Sequence, residues 1–322
     1  MTTSSYKMMK SGILLCGTIC LLCSSGAVCL VVEAWSIQKA PTRSQSSLIL
    51  SLAPQQLGSF EALNVADRRL VRSNFYGIVD DEAPIAFADT WKVQQDLQVA
   101  HFDQLSLAGG NKPSEGTEQS ARQEAPLDTL LFVQHESVYT FGTASDRSFL
   151  LNQNTGIPLA DINRGGEITY HGPGQLVVYP ILNLRNYQAD LHWYMRALEE
   201  AVIHALFLLD SDVKPARCEE TTGVWVENRK VAAIGVSARR WITQHGVAIN
   251  VEEVCMDAFE HIIPCGLEGR RVGCLNQFLK HPISVQEFVP YMVKAMEHVF
   301  EINIQIDNHI AKNGKVAQPA QK

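Results

Sequence analysis

Apolar positions along the chain recur with two different periods, and the places where the period changes mark the elements. Over Pro84–Leu107 the apolar residues Phe87, Trp91, Leu97 and Leu105 fall close to whole helical turns, which predicts an amphipathic helix. Ala108–Pro126 is rich in Gly, Ser, Glu and Gln and reads as an exposed loop. The short apolar run Leu127–Val133 that follows predicts a buried strand, and Leu176–Leu184 predicts another. Leu191, Tyr194, Leu198, Val202, Leu206 and Leu209 then return to helical spacing, as a helix with one face on a sheet requires. Between Gly223 and Val251 the period shortens again. Val224-Trp225-Val226, Lys230–Val236 and Trp241–Val251 are strand-like, separated by Glu227-Asn228-Arg229 and Ser237–Arg240. Finally, Ser284-Val285-Gln286-Glu287 matches a capping box and opens a helix carrying Phe288, Tyr291, Ala295 and Val299. Helices segregated from a hairpin-rich region indicate an α+β fold, a mixed sheet flanked by helices.

With 322 residues, 46% of them hydrophobic and 19% charged, the chain has the composition of a globular protein and can bury a full core. The net charge of −7 is unevenly spread: residues 1–60 carry Lys7, Lys10, Lys39 and Arg43 against Glu33 alone, a local +3, which leaves −10 for the rest. An acidic body argues against nucleic-acid binding. The first 60 residues read as a targeting leader. A short basic start is followed by the uncharged apolar run Ile13–Val32, then Val32-Glu33-Ala34 and Trp35, then a Ser-rich basic stretch without acids to Leu52. This two-part build resembles the leaders of plastids enclosed by extra membranes, with a mitochondrial presequence or plain secretory signal as the alternatives. The expected division is a leader over 1–60, removed so that the mature form keeps no stable membrane anchor, a catalytic domain over 61–310 with a loop insertion at 108–126, and a polar tail over 311–322. Cys16, Cys20, Cys23 and Cys29 belong to the apolar run and read as small hydrophobes. Cys218, Cys255, Cys265 and Cys274 in the body show neither a paired C-x-x-C nor an accompanying H-x-x-x-H, so no metal site is expected.

The densest motif is Arg164-Gly165-Gly166-Glu167-Ile168-Thr169-Tyr170-His171-Gly172-Pro173-Gly174-Gln175. Its glycines let backbone approach a ligand closely, and Arg164 and His171 offer donors to a polar head or an acyl carbonyl. Read alone, a glycine-rich turn between strands is as often structural. With Val178-Tyr179-Pro180-Ile181-Leu182-Asn183-Leu184 after it, however, the string resembles the signature of the lipoyl(octanoyl) transferase family. Four further segments resemble that family in its own order: Val138-Tyr139-Thr140-Phe141-Gly142, Lys230-Val231-Ala232-Ala233-Ile234-Gly235, His245-Gly246-Val247-Ala248-Ile249-Asn250 and Phe259-Glu260-His261-Ile262-Ile263-Pro264-Cys265-Gly266.

The resemblance implies the fold of the biotin and lipoate protein ligase catalytic domain, and a cysteine–lysine pair carried by Cys265 and Lys230. It implies no cofactor. A thiol with a pKa near ~8.5 is mostly protonated at neutral pH, and a neighbouring ammonium favours the nucleophilic thiolate. Lys230 would supply that charge and exchange the proton. The other readings are a buried inert thiol for Cys265 and a solvated hairpin lysine for Lys230. The family's substrate site corresponds to Arg164–His171, Ala233-Ile234-Gly235 and Gly246-Val247-Ala248, whose small residues leave room for an apolar slot. The implied donor is octanoyl-acyl carrier protein. The implied acceptors are lipoyl-domain proteins such as 2-oxoacid dehydrogenase E2 subunits and the glycine cleavage H protein. Arg239-Arg240 and Arg270-Arg271 are candidate docking residues for an acidic carrier. Three rivals remain: an ATP-dependent lipoate or biotin ligase, a non-catalytic acyl-chain binder and a cysteine hydrolase.

Overall fold

The computed structural model describes residues 68–78, 82–109, 128–264 and 271–306. The expected leader, positions 110–126 of the expected insertion, the tail and Cys265 lie outside the described residues. In chain order, β1 (Arg69–Tyr76) leads to α1 (Phe87–Gly109), then β2 (Thr129–Val133), β3 (Val138–Phe141), β4 (Leu159–Asp161), β5 (Thr169–His171) and β6 (Gln175–Ile181). α2 (Leu191–Leu209) follows, then β7 (Ala216–Arg217), β8 (Val224–Val226), β9 (Arg229–Arg239), β10 (Ile242–Asn250), β11 (Arg271–Val272), α3 (Val285–Phe300) and β12 (Ile302–Ile306).

The large sheet runs β12-β1-β2-β6-β10-β9-β8-β7, with β11 also paired to β9. β1 lies parallel to β2 and β12, and β11 parallel to β9, whereas the other neighbours are antiparallel, so the sheet is mixed. Alternation along the strands sends side chains to two cores. Leu130 and Phe132 of β2 join Leu176 and Val178 of β6 beneath Leu198 and Val202 of α2 and Phe288 and Met292 of α3. The intervening Leu131, Val133, Val177 and Tyr179 face the other way, toward Val93, Leu97 and Phe102 of α1. Burying each such side chain contributes about 1.5–3 kcal/mol. β3, β4 and β5 form a separate small sheet in the order β4-β3-β5, packed with Cys255, Phe259 and Ile262.

Local chemistry explains where the helices begin. Asp190 Oδ1 accepts from the amides of His192 (2.7 Å) and Trp193 (3.3 Å) at the start of α2. At α3 the capping box is present: Ser284 Oγ accepts from the Glu287 amide at 3.2 Å, and Glu287 Oε2 from the Ser284 amide at 2.8 Å. The hairpin differs from the sequence expectation. β9 does not stop at Val236 but continues to Arg239, and the turn into β10 is Arg240-Trp241 alone, with φ of 51° and 66°. Glu227-Asn228 makes the other two-residue turn, at 46° and 65°. Positive φ at both positions matches the right-handed twist of a tight hairpin. Arg240-Trp241 is held there by neighbours, since the Leu184 amide donates to Trp241 O (2.8 Å) and Arg185 Nη1 to Arg240 O (2.8 Å).

Pro180 interrupts the ladder between β6 and β10. Pairing runs from Asn250↔Gln175 to Val247↔Val178, and beyond the gap the Thr243 amide donates to Leu182 O at 3.0 Å. Continued through the gap, that register puts His245 opposite Pro180, which has no N–H to give. The Pro180 carbonyl accepts from Thr243 Oγ1 at 2.6 Å, and His245, at a φ of 57°, donates its amide to Gln94 Oε1 of α1 at 2.8 Å. The next residue, Gly246, lies so close to β6 that a Cβ there would sit 2.1 Å from Val178 O and 2.7 Å from Pro180 Cδ. Backbone cannot yield as a side chain can. Gly246→Ala is therefore expected to lower stability by at least about 1–3 kcal/mol, measured as the shift in urea midpoint at constant slope.

Candidate active site

A cavity opens between the glycine-rich segment and the β9–β10 hairpin. It is lined by the expected residues of Arg164–His171, Ala233–Gly235 and Gly246–Ala248 except Tyr170, and also by Ile162, Val177, Tyr179 and His245. The exception follows from strand alternation: Thr169 and His171 turn one way from β5, and Tyr170 turns the other. The Tyr170 hydroxyl shares a hydrogen bond with Ser137 Oγ at 2.9 Å, and its ring meets Phe259 edge-on at 5.7 Å. Val177 and Tyr179 were readable as alternate positions of the β6 string. His245 stood inside a quoted motif without a role.

The slot exists because Gly235 and Gly246 face each other across β9 and β10. Arg164 fills part of the space, and a Cβ on Gly235 would lie 2.8 Å from its Cδ. The Arg164 guanidinium is buried and bound, Nη2 donating to Thr140 O (2.8 Å) and Thr140 Oγ1 (3.0 Å) and Nη1 to Gly165 O (3.0 Å). The Gly165 amide donates to Val236 O at 3.0 Å, which fastens the motif to β9.

Two histidines line the cavity, His171 and His245, a third, His135, lies behind Tyr179, and all three are buried. His135 Nδ1 donates to Ile85 O (3.2 Å), and Nε2 accepts from the Tyr179 hydroxyl (2.8 Å). His171 Nδ1 lies 2.7 Å from Gln175 Oε1, and its ring stacks on Phe87 at 6.5 Å. His245 Nε2 pairs with Asn163 Oδ1 at 2.8 Å and stacks on Trp91 at 4.6 Å. Burial holds the rings neutral, pushing His135 down to about 4 and His171 and His245 to about 3, with the positive field of Arg164 also acting on the last two. Among the described residues no cluster of His, Cys, Asp or Glu is arranged to hold a metal ion.

Lys230 does not line this cavity. It is buried near the start of β9, its Nζ 5.9 Å from the Trp225 ring centroid. Its Cε passes where a Cβ on Gly223 would be, at 2.4 Å, and Gly223 is tied down by its amide to buried Glu199 Oε1 at 2.8 Å. Arg217 Nε and Arg196 Nη1 pair with the same carboxylate at 3.2 and 2.7 Å. Arg271, six residues after Cys265, pairs with Arg229, and Val272 with Lys230. Of the other body cysteines, Cys255 is buried and pushed up to about 12, and Cys274 is buried and raised as well, so neither has thiolate character.

Residues 117–297 match the model of the lipoyl protein ligase A/B catalytic domain. An octanoyltransferase of Prochlorococcus marinus is 46% identical over 240 residues, covering 74% of this chain and 89% of that protein. One from Cytophaga hutchinsonii is 37% identical, covering 72% and 96%. The chain belongs to the lipoyl(octanoyl) transferase family. It is accordingly an acyltransferase. A chloroplastic octanoyltransferase of Arabidopsis thaliana is 46% identical over 155 residues, 48% of this chain and 55% of that one. The fold is that of a solved lipoate-protein ligase A bound with ATP, which superposes with a TM-score of 0.50 at 16% identity over 77% of this chain and 90% of that one. The expected α+β architecture, a mixed sheet with flanking helices, is the one found.

The neutral histidines set a pH dependence. Their folded pKa values lie below the unfolded value near ~6.5, so the unfolded chain binds more protons as pH falls. The stability they confer is complete above about pH 6.5 and is lost on descent toward pH 4 and below, each ring contributing up to about 1.4 kcal/mol per pH unit. Urea unfolding at about pH 7.5, 6 and 5 should show midpoints falling with acidity; a flat series contradicts burial of neutral rings.

Proposed function

We propose that this acyltransferase moves the octanoyl group from octanoyl-acyl carrier protein to a specific lysine of a lipoyl domain, the first step of endogenous protein lipoylation, through a thioester on Cys265. The observation that carries the reading is the slot made by Gly235 and Gly246, with Val177, Ala233, Ile234, Val247 and Ala248 in its lining. Fully burying the six methylenes of an octanoyl tail at about 0.8 kcal/mol each would gain roughly 5 kcal/mol; the cavity as it stands measures about 60 Å³ and has to open to take all six. The pairing of β11 with Lys230 supports Cys265 as the nucleophile and Lys230 as its activating ammonium, and the raised pKa values of Cys255 and Cys274 weigh against those two thiols. In the first half-reaction the Cys265 thiolate attacks the carrier thioester and the carrier thiol leaves. In the second a lysine amine attacks the enzyme thioester, the C–N bond forms, the C–S bond breaks and the sulfur regains a proton. E2 subunits of 2-oxoacid dehydrogenases and the glycine cleavage H protein are the proposed acceptors. The leader and the chloroplastic relative favour a plastid, to be checked with a fluorescent fusion of residues 1–60.

An acidic donor needs a basic surface on an acidic enzyme. Arg185, Arg239 and Arg240 are exposed around the β9–β10 turn, and among the described residues none of them pairs with a carboxylate. Arg239 and Arg240 both lie over the Phe102 ring, at 5.4 and 5.5 Å. Phe102 and Arg239 also line an open groove with Trp91, Gln98, Asn163 and Gln244. Asn163 and Gln244 flank Arg164 and His245 in sequence, so groove and cavity are neighbours.

Intact-mass measurement after incubation with octanoyl-carrier protein, without ATP, should show one octanoyl adduct, absent from Cys265→Ala. A Cys265→Ser variant that turns over at the normal rate refutes the thioester. A requirement for free octanoate and ATP would identify a ligase instead. The double variant Arg239→Glu/Arg240→Glu is expected to raise KM for the carrier roughly tenfold at low salt with kcat retained, and an unchanged KM removes this docking surface.

A further inference from the structure

A buried chain of side-chain amides runs from the cavity toward β11, and its direction is fixed at both ends. Gln175 Nε2 donates to Tyr170 O at 3.2 Å and to Asn250 Oδ1 at 2.8 Å, and Asn250 Nδ2 donates to Gly273 O at 3.0 Å. Two of these acceptors are backbone carbonyls, which can only accept, so neither amide can be turned over without facing oxygen to oxygen. Gln175 Oε1 is therefore the atom beside His171 Nδ1, 2.7 Å away, and Nδ1 must carry the ring proton. A neutral imidazole so pinned has an unprotonated Nε2. That atom makes no hydrogen bond among the described residues, and His171 lines the cavity. The Gly273 amide continues the chain to Lys230 O at 3.0 Å, so the network joins the ring to the strand that bears Lys230.

This orientation bears on the donor role to a polar head or acyl carbonyl that the sequence offered for His171. A ring whose outward nitrogen can only accept does not support a thioester carbonyl or an oxyanion, both of which need a donor. It holds a group that brings an N–H. We propose that His171 Nε2 receives an N–H of the attacking lysine amine in the second half-reaction, and that Gln175 and Asn250 are positioning residues that keep the ring in the one tautomer able to do so. The inference rests on the proposed thioester reading. The balance is simple: the amine nitrogen bonds to the acyl carbon, the C–S electron pair goes to sulfur, and of the two amine hydrogens one stays in the amide while the other ends on the thiol. His171 orients the nitrogen lone pair toward the carbon and does not keep the proton. The groups facing its ring are His135 from the loop after β2, Arg164 from the glycine-rich segment, His245 from β10 and Phe87 from α1. Burial above all, with His135, Arg164 and His245, opposes protonation and outweighs the hydrogen bond to Gln175 that favours it, which is what an obligate acceptor needs.

Two measurements on the full chain test this. In the wild-type enzyme, nitrogen NMR of labelled histidine should show His171 as the Nδ1–H tautomer at neutral pH. Finding Nε2–H, or a doubly protonated ring, overturns the inference whether or not any variant folds. Gln175→Glu keeps an acceptor for Nδ1–H but sets a carboxylate beside the ring, which raises its pKa and removes the Nε2 lone pair as pH falls. The pre-formed octanoyl-enzyme is then mixed with a lipoyl domain at a series of pH values. The rate ratio of variant to wild type, in which ionisation of the substrate amine cancels, should fall by at least roughly tenfold between about pH 8.5 and 5.5, while the ratio for octanoyl-enzyme formation stays level across the same range. A pH-independent aminolysis ratio with normal octanoyl-enzyme formation defeats the role of His171 alone. A wild-type enzyme that forms no octanoyl-enzyme defeats the thioester reading, and this inference with it.

Discussion

A proline in the central sheet sets the conditions for the site. Pro180 is paired on one side, through β2, and offers no N–H to β10 on the other. The Pro180 carbonyl in turn accepts from the Thr243 hydroxyl, and the His245 amide opposite it donates to Gln94 on α1. That bond ties α1 to β10 beside the stack of His245 on Trp91 and the close approach of Gly246 to the β6 backbone. A narrow space remains beside the hairpin, bounded by small residues and floored by β6. Shape here is produced by a missing donor and two missing side chains, with the surrounding packing left regular.

The chemistry inside that space is organised around neutral histidines. The lining holds two charged residues, Arg164, whose guanidinium is turned into the protein toward Thr140 and Gly165, and Glu167. Histidines contribute polar atoms without charge, because burial outweighs the hydrogen bonds that would favour the imidazolium. A further charge lies one layer away, in Lys230, whose stem is held against Gly223 by the Glu199 carboxylate and its two arginines. Fixing an ammonium through a buried carboxylate several residues distant costs desolvation, which the paired arginines offset.

Much of this was legible in the sequence, and the losses have physical causes. Period-3.6 spacing found α2, and the capping box found α3, because each helix has one face on a sheet and a side chain that satisfies its first amides. β1 was not found: its burial alternates imperfectly along Arg69–Tyr76, where it is squeezed between two parallel neighbours. β9 was cut short at Val236 because Ser237, Ala238 and Arg239 are polar or small, and these residues line the open groove where no apolar pattern is demanded. Glycine-rich segments pointed to the cavity, while Tyr170 could not be separated from Thr169 and His171 without knowing that all three share one strand. His135 carries no motif. It joins the site through Tyr179 and Ile85, contacts that only the folded chain brings together. The relation of Cys265 to Lys230 rests on family resemblance and on the pairing of β11.

The turn between β9 and β10 has a consequence for protein engineering. Its backbone is one that Asn-Gly would enter with less strain, since left-handed geometry disfavours arginine and tryptophan by roughly 1 kcal/mol or more each. Anyone seeking a more heat-resistant version would begin there, and would thereby erase Arg240, one of the guanidinium groups proposed to receive an acidic visitor. Durability and the proposed recruitment compete for that one position.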